Sequence, residues 1–155
     1  MPDTPLRLQV IDRVVRVLES IQEGSEYFYS PKAVVKGFIA NPSAYPVYQV
    51  TSESGGEVQH NLDMQNIENF CIAVHGIVQS ATDVVTPLEC AIRDVRKAIN
   101  DDFGSGGGPE TLIGLTMGMT MEETPDIAYG FESTGAFGYF TQKIMVKIFG
   151  EFGEL

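Results

Sequence analysis

Residues 70–78 read FCIAVHGIV, and the rest of the predicted fold is arranged around this run. The run is apolar on both faces, which is typical of a central strand that is covered on both sides. Residues 86–89 then read TPLE, a capping box with Thr86 as N-cap, Pro87 at the first helical position and Glu89 two positions further. The sequence therefore predicts a helix to about Asp101, whose buried stripe comprises Leu88, Ile92, Val95 and Ile99.

A second amphipathic helix is predicted near the N-terminus, with Thr4 as N-cap and Pro5 at the first helical position. Its apolar stripe comprises Val10, Val14, Val17, Leu18 and Ile21. The runs 27–39 and 45–51 are rich in aromatic and β-branched residues, and they predict two strands that form a hairpin or lie near each other. Residues 53–66 are polar and predict an exposed loop.

Downstream of the second helix, the glycine-rich residues 103–110 predict a flexible joint. Apolar residues alternate over 111–121, with Met117, Met119 and Met121 on one face, and this alternation predicts a strand. Residues 122–137 are acidic and predict a loop, and residues 138–149 predict the last strand. The whole pattern favours one α+β domain over residues 1–155, in which a small, mainly antiparallel sheet of about four to five strands packs against two helices. The segments 53–66, 103–110 and 122–137 are expected to be flexible.

The composition is that of a globular chain, with 43% hydrophobic and 20% charged residues among 155. Cys71 and Cys90 are too few for a disulfide framework, which favours a reducing compartment. We expect no signal peptide, no membrane span and a cytoplasmic location. The formal net charge of −11 opposes tight binding to nucleic acid or to an anionic membrane.

The chemical inventory offers no catalytic motif. Cys71 and His75 share one face of the predicted strand as a possible thiol–imidazole pair or half of a metal site, but four residues along a strand span about 13 Å, which favours two structural residues. Residues 104–108 read GSGGG without the lysine of a phosphate loop, which favours a connector. The methionine row is either an adaptable binding surface or sheet core, and its spacing favours core.

The acidic loops are the remaining candidates. They could bind a hard cation, but no loop has the alternating oxygen ligands of an EF-hand, which favours a solvated acidic rim. We therefore predict no catalytic residue, no metal site and no cofactor, and we expect that the chain is not an enzyme. The predicted interaction residues are Glu53, Glu57, His60, Asp63, Asp101, Asp102, Glu122, Glu123 and Asp126.

The order of the predicted elements carries a family resemblance. An N-terminal helix precedes YPVYQV at 45–50, a helix reading LECAIRDVRKAINDD occupies 88–102, and the chain closes with FTQKIMVKI at 140–148. In this arrangement the chain resembles the tail terminator, or tail-completion, proteins of long-tailed bacteriophages, the lambda type and its relatives. The resemblance covers nearly the whole chain and implies a small α+β fold.

The resemblance also implies a function in the virion tail, after assembly in the cytoplasm of a bacterial host. Tail terminators form hexameric rings on the last ring of tail tube subunits, stop tube growth and present a surface to the head connector; they can be monomers before docking. DNA would pass through the ring without tight binding, because an acidic lumen neutralises no phosphate. The alternatives are a head-completion or neck joint protein, and a small enzyme or ligand-binding domain whose site is assembled from distant acids.

Overall fold

The computed structural model describes residues 3–53, 58–60, 66–105 and 107–149. These residues form three helices and one sheet of seven strands. In chain order the elements are α1 (Leu6–Glu19), β1 (Ala33–Lys36), β2 (Val47–Glu53), β3 (Val58–His60), β4 (Asn66–Ser80), α2 (Val85–Gly104), α3 (Leu112–Leu115), β5 (Gly118–Met121), β6 (Asp126–Glu132) and β7 (Gly135–Phe149).

Two long antiparallel strands, β4 and β7, form the middle of the sheet and pair from Ile67 with Phe149 to Ser80 with Ala136. Each carries two shorter antiparallel strands along its outer side, β2 and β3 on β4, and β5 and β6 on β7. β1 lies outside β2 and runs parallel to it. The prediction of a mainly antiparallel α+β sheet is confirmed, and the run at 70–78 lies in its central strand.

Both long helices pack on the same face of the sheet. The predicted stripes of α1 and α2 are buried, and the sheet meets them with alternate residues of its central strands. These sheet residues are Phe70, Ile72, Val74 and Val78 of β4, and Phe140, Ile144, Val146 and Ile148 of β7. Burying each large aliphatic side chain contributes about 1.5–3 kcal/mol, so the single core between helices and sheet dominates the stability of the fold.

The beginnings of both long helices differ from the predictions. α1 begins after Pro5 without a side-chain cap. α2 begins at Val85, because the carboxylate of Asp83 accepts hydrogen bonds from the backbone N–H groups of Val85 and Thr86 at 3.0 and 3.1 Å. The hydroxyl of Thr86 donates to the same carboxylate at 2.6 Å, so Thr86 is not the N-cap. A carboxylate is the stronger acceptor, and these bonds lower the pKa of Asp83.

Five other predictions need correction or refinement. The first two strands are neighbours, which is one of the two predicted arrangements, and they are not a hairpin, since β1 is short and parallel to β2. Residues 111–121 divide into α3 and β5, because the hydroxyl of Thr111 accepts a hydrogen bond from the N–H of Gly114 and starts a helical turn. Glycine is required at 114, where a Cβ would lie 2.6 Å from the carbonyl oxygen of Gly108. α2 extends through Gly104 into the predicted joint at 103–110.

The two remaining corrections raise the strand count above the predicted four to five. Part of the predicted loop at 53–66 is strand β3, which pairs with the start of β4. Residues 126–132 of the predicted loop at 122–137 are strand β6, which forms a hairpin with β7 through a turn at 133–134. The glycine after this turn, Gly135, has a φ of +133°, a conformation that side chains disfavour.

Candidate functional site

The face of the sheet opposite the helices, called the open face here, carries the most polar groups outside the core. It presents alternate residues of β2, β4 and β7, including Thr51, His75 and Thr141. The segment that links β1 to β2 lies over part of it, because the N–H of Ile39 donates to the side-chain oxygen of Gln49 at 2.9 Å. The ring of Tyr45 meets that of Phe137 edge-on at 5.6 Å. The part of the open face that this segment leaves uncovered is a strip that extends toward the end of β4.

His75 lies at the centre of the strip and bridges three strands. Its Nε2 lies 3.0 Å from the hydroxyl of Thr51 on β2, and its Nδ1 lies 2.9 Å from the hydroxyl of Thr141 on β7. The ring of Phe38 lies over the imidazole at 5.4 Å, although Phe38 itself is 74% exposed. Burial lowers the pKa of His75, the main effect in this environment. Both ring nitrogens have hydroxyl partners, so the arrangement favours a neutral, positioned imidazole over a general base.

This environment makes the stability of the fold depend on pH. Because the pKa of His75 is lower in the folded chain than its ordinary value of 6.5, the unfolded chain takes up a proton first as pH falls. We expect the contribution of the neutral imidazole to the free energy of unfolding to be complete above the ordinary pKa of 6.5. This contribution should decrease as pH falls between about 7 and 5. Denaturant unfolding of the protein and of His75→Gln across this range should give a weaker pH dependence in the variant. Equal pH dependences would contradict this assignment.

Cys71 and His75 do not form a pair, as their spacing along the strand predicted. The thiol of Cys71 is buried and lies 3.8 Å from the carbonyl oxygen of Ile72, while the imidazole is held by the two threonines. Burial raises the pKa of the Cys71 thiol and also that of Cys90, so neither cysteine has the lowered pKa of a reactive thiolate. The structural interpretation of this pair is therefore the one that the geometry supports.

Three of the predicted acidic residues lie around one lysine at the edge of the open face. Glu53 forms an ion pair with Lys143 at 3.5 Å, and the charges of Glu53, Glu122 and Asp126 raise the pKa of Lys143, that of Glu53 most strongly. The backbone carbonyl groups of Glu122 and Glu123 accept hydrogen bonds from Arg96 of α2 at 3.2 and 2.8 Å. The predicted acidic rim is thus present here as a cluster of surface charges. Its backbone is held against α2 by the hydrogen bonds from Arg96.

The acids at the end of α2 have structural partners. Asp101 pairs with Lys97 one helical turn earlier at 2.5 Å. Asp102 is mostly buried and binds the guanidinium of Arg13 on α1 through two hydrogen bonds of 2.5 and 3.2 Å. The carboxylate of Asp102 also accepts a hydrogen bond from the N–H of Leu112 at 2.9 Å, so it joins α1, α2 and α3. Its oxygens are directed into the fold and are not offered to a partner.

The other predicted positions offer less. Glu57 and Asp63 lie outside the described residues, and so does the side chain of His60, whose backbone belongs to β3. In the methionine row, Met119 and Met121 pack against the core as predicted, while Met117 is about half exposed.

A groove of about 700 Å³ between α1 and residues 109–115 is lined by charges of both signs, including Arg13 and Glu110.

Two features were missed by the analysis of the sequence. The first is Asp94 of α2, which is fully buried and accepts hydrogen bonds from the N–H groups of Phe28 and Tyr29 at 2.9–3.1 Å. Asp94 precedes Val95 at the border of the apolar stripe, and this position could have predicted that its side chain is buried. The second is strand β6, which was predicted as a loop although large apolar residues occupy every second position, Ile127, Tyr129 and Phe131.

Within the residues that the structure describes, no group of three His, Cys, Asp or Glu side chains could hold a metal ion. The helices of that part of the chain are too short or too polar to cross a membrane. The fold and its surface define a single-domain α+β protein with helices on one side of an open sheet. No protein-family model matches the sequence, and a search of curated proteins finds no significant match.

Proposed function

We propose that the chain is a structural subunit of the tail terminator type. Copies of it form a ring, expected to be hexameric, that caps a phage tail tube, stops its polymerisation and docks to the head connector. Its site of action is then the virion tail, after assembly in the cytoplasm of the host. The observation that carries this proposal is a small α+β domain whose sheet ends in open edges and whose polar groups are engaged in structural contacts.

The distribution of charge supports passage of DNA through such a ring. Among the residues that the structure describes, six of the ten lysine and arginine side chains form ion pairs with acidic residues: Arg7, Arg13, Lys36, Arg93, Lys97 and Lys143. Many acidic side chains stay exposed, so the surface offers little neutralisation to phosphate. An acidic lumen of this kind would let DNA slide. Substituting lumen-facing acids by lysine should retain DNA in assembled tails, and unchanged DNA passage would contradict the sliding role.

The test of the proposed function is capping of a growing tube. Tube protein is polymerised with and without the purified chain, and tube lengths are measured by electron microscopy. We expect overlong tubes without the chain and short, capped tubes with it, while an unrelated acidic protein of similar mass leaves the lengths unchanged. Tubes that are equally long in all three samples would overturn the terminator role.

The same preparations separate the terminator from a neck joint protein. If tails made without the chain have normal lengths but fail to join heads, the chain acts at the head–tail joint instead. If both length and joining are normal without it, neither structural role holds, and a ligand-binding or enzymatic role becomes the working hypothesis.

A further inference from the structure

The sheet is open on both sides: β1 and β3 lie on one side, β5 and β6 lie on the other, and each pairs with only one described strand. β1 pairs with β2 on one side only, and β6 pairs with β7 on one side only. An open edge presents unpaired backbone N–H and C=O groups, and it can accept a strand from another chain. Each edge therefore has the geometry to pair with a further strand.

The β6 edge is also apolar on one side. Ile127, Tyr129 and Phe131 pair across the ladder with Phe140, Gly138 and Ala136, so all three lie on the helix side of the sheet. Their side chains are nevertheless 41, 48 and 84% exposed. Two aromatic residues and an isoleucine on an open edge strand are costly to leave in water, and they favour a contact that covers them.

The two edges differ in charge. Residues 122–132 contain four acidic residues and no lysine or arginine. β1 is bordered by Lys32, which is exposed, and contains Lys36, whose ammonium group pairs with Asp12 of α1 at 2.6 Å; no acidic residue occurs between positions 27 and 52. In a chain of net charge −11, Lys32 makes β1 the less acidic of the two edges, so an acidic β6 is attracted to β1 more than to another β6.

We propose that β6 of one copy pairs with β1 of the next copy, so that the chain associates head to tail through its sheet edges. This inference deepens the ring proposed above by naming its repeating contact. With the helices of both copies on the same side, the pairing directions of the sheet make β6 antiparallel to the neighbouring β1. Such a contact joins two different surfaces, and repeating it produces a ring when the rotation between copies closes.

This arrangement also accounts for the exposed apolar row. On the helix side, the row of Ile127, Tyr129 and Phe131 would lie beside Lys32, Val34 and Lys36 of the neighbouring β1. The stem of Lys36 can cover an aromatic ring while its ammonium group pairs with Asp12, and the ammonium group of Lys32 interacts favourably with a ring face. Because β1 has four residues, the contact is small, and pairing should require high concentration or alignment on a tube.

Cysteine cross-linking tests the pairing. Val35→Cys on β1 and Ala128→Cys on β6 place thiols on the open face of each edge, in a Cys90→Ser background. At about 1 mM protein with a short bismaleimide, a mixture of the two single variants should give linked pairs that contain one of each. Each single variant alone should remain unlinked, and a chain with both cysteines should give species larger than dimers.

Other patterns overturn the proposal. Linked pairs from Val35→Cys alone or from Ala128→Cys alone would show that like edges meet, and no linked species in any sample would show that the edges do not pair. Thermal unfolding of each variant confirms that it is folded before cross-linking.

Substitutions at the edges test whether the apolar row and the charges stabilise the contact between β6 and β1. Phe131→Ser should reduce cross-linking about tenfold, whereas Val85→Ser, a matched change at an exposed apolar residue on α2, should leave it unchanged. Lys32→Glu should reduce cross-linking about threefold, because it adds a negative charge beside the acidic β6 segment. Lys147→Glu is the control of equal charge. Equal effects of Phe131→Ser and Val85→Ser would contradict the role of the apolar row.

The outcomes separate this inference from the proposed function. Head-to-tail cross-links without tube capping would support the edge contact and remove the terminator role. Tube capping by a protein that gives no cross-link between β1 and β6 would keep the terminator role and remove the edge contact.

Discussion

Gly76→Ala is expected to destabilise the fold by about 3 kcal/mol and to lower the melting temperature by about 6–12 °C. Gly76 lies in the middle of β4, and the ring of its cross-strand partner Phe140 lies directly over it. A Cβ at position 76 would lie 2.0 Å from a ring carbon of Phe140, so the ring would have to move. The ring of Tyr48, which meets Phe140 edge-on at 6.3 Å, hinders that movement.

Three further variants make this expectation specific. Phe140→Leu shortens the opposing side chain, so the double variant should be destabilised by less than the sum of the two single changes. Gly104→Ala is the matched control, because a Cβ there meets nothing within 4 Å and replacement at the end of a helix costs little. Thermal and denaturant unfolding give the melting temperature and the free energy of unfolding of all four variants relative to the unchanged protein. A Gly76→Ala variant as stable as Gly104→Ala would contradict the packing described here.

Asp94→Ala is expected to cost about 3 kcal/mol, a large effect for a single polar side chain. The buried carboxylate accepts hydrogen bonds from the N–H groups of Phe28 and Tyr29, and it fixes the segment after α1 against α2. Alanine would leave both donors without their acceptor. Asp94→Asn keeps one acceptor oxygen and should cost less, so the order of stability should be wild type, Asn, Ala.

The control is Asp101→Ala, which removes an exposed ion pair with Lys97 on the same helix and should cost less than about 0.5 kcal/mol. Urea unfolding gives the free energies. Amide hydrogen exchange at Phe28 and Tyr29 should accelerate selectively in Asp94→Ala. If exchange at these two amides were unchanged, their protection would come from another acceptor.

The helices and the central strands could be predicted from the sequence because each is amphipathic or apolar over many residues. The stripes of α1 and α2 and the run at 70–78 were found in this way. β6 was missed because its acidic and glycine residues have low strand propensity, and its pairing with β7 outweighs that propensity. The start of α2 was misplaced because the Thr86 motif has the right spacing, and only the structure places the Asp83 carboxylate at the two N–H groups.

The candidate surfaces were less predictable than the fold. Asp102 was predicted as an interaction residue, but its carboxylate is used by Arg13 and Leu112, which come from other parts of the chain. The partners of His75 lie on two strands that are distant in sequence, so no local pattern could identify them. The difference in charge between the β1 and β6 segments became visible only when the two strands were found on opposite sides of one sheet.

The sequence by itself determined the α+β class, the buried stripes and the strong negative charge. The periodicity that predicts helices, strands and buried stripes is a property of each segment, and the net charge is a property of the whole composition. Only the tertiary structure decided the strand order, the buried partners of Asp94 and Asp102, and the placement of acidic and basic segments on separate edges. Those features depend on which distant residues meet. Long-range pairing is selected by the total free energy of the packed sheet, and single segments do not encode it.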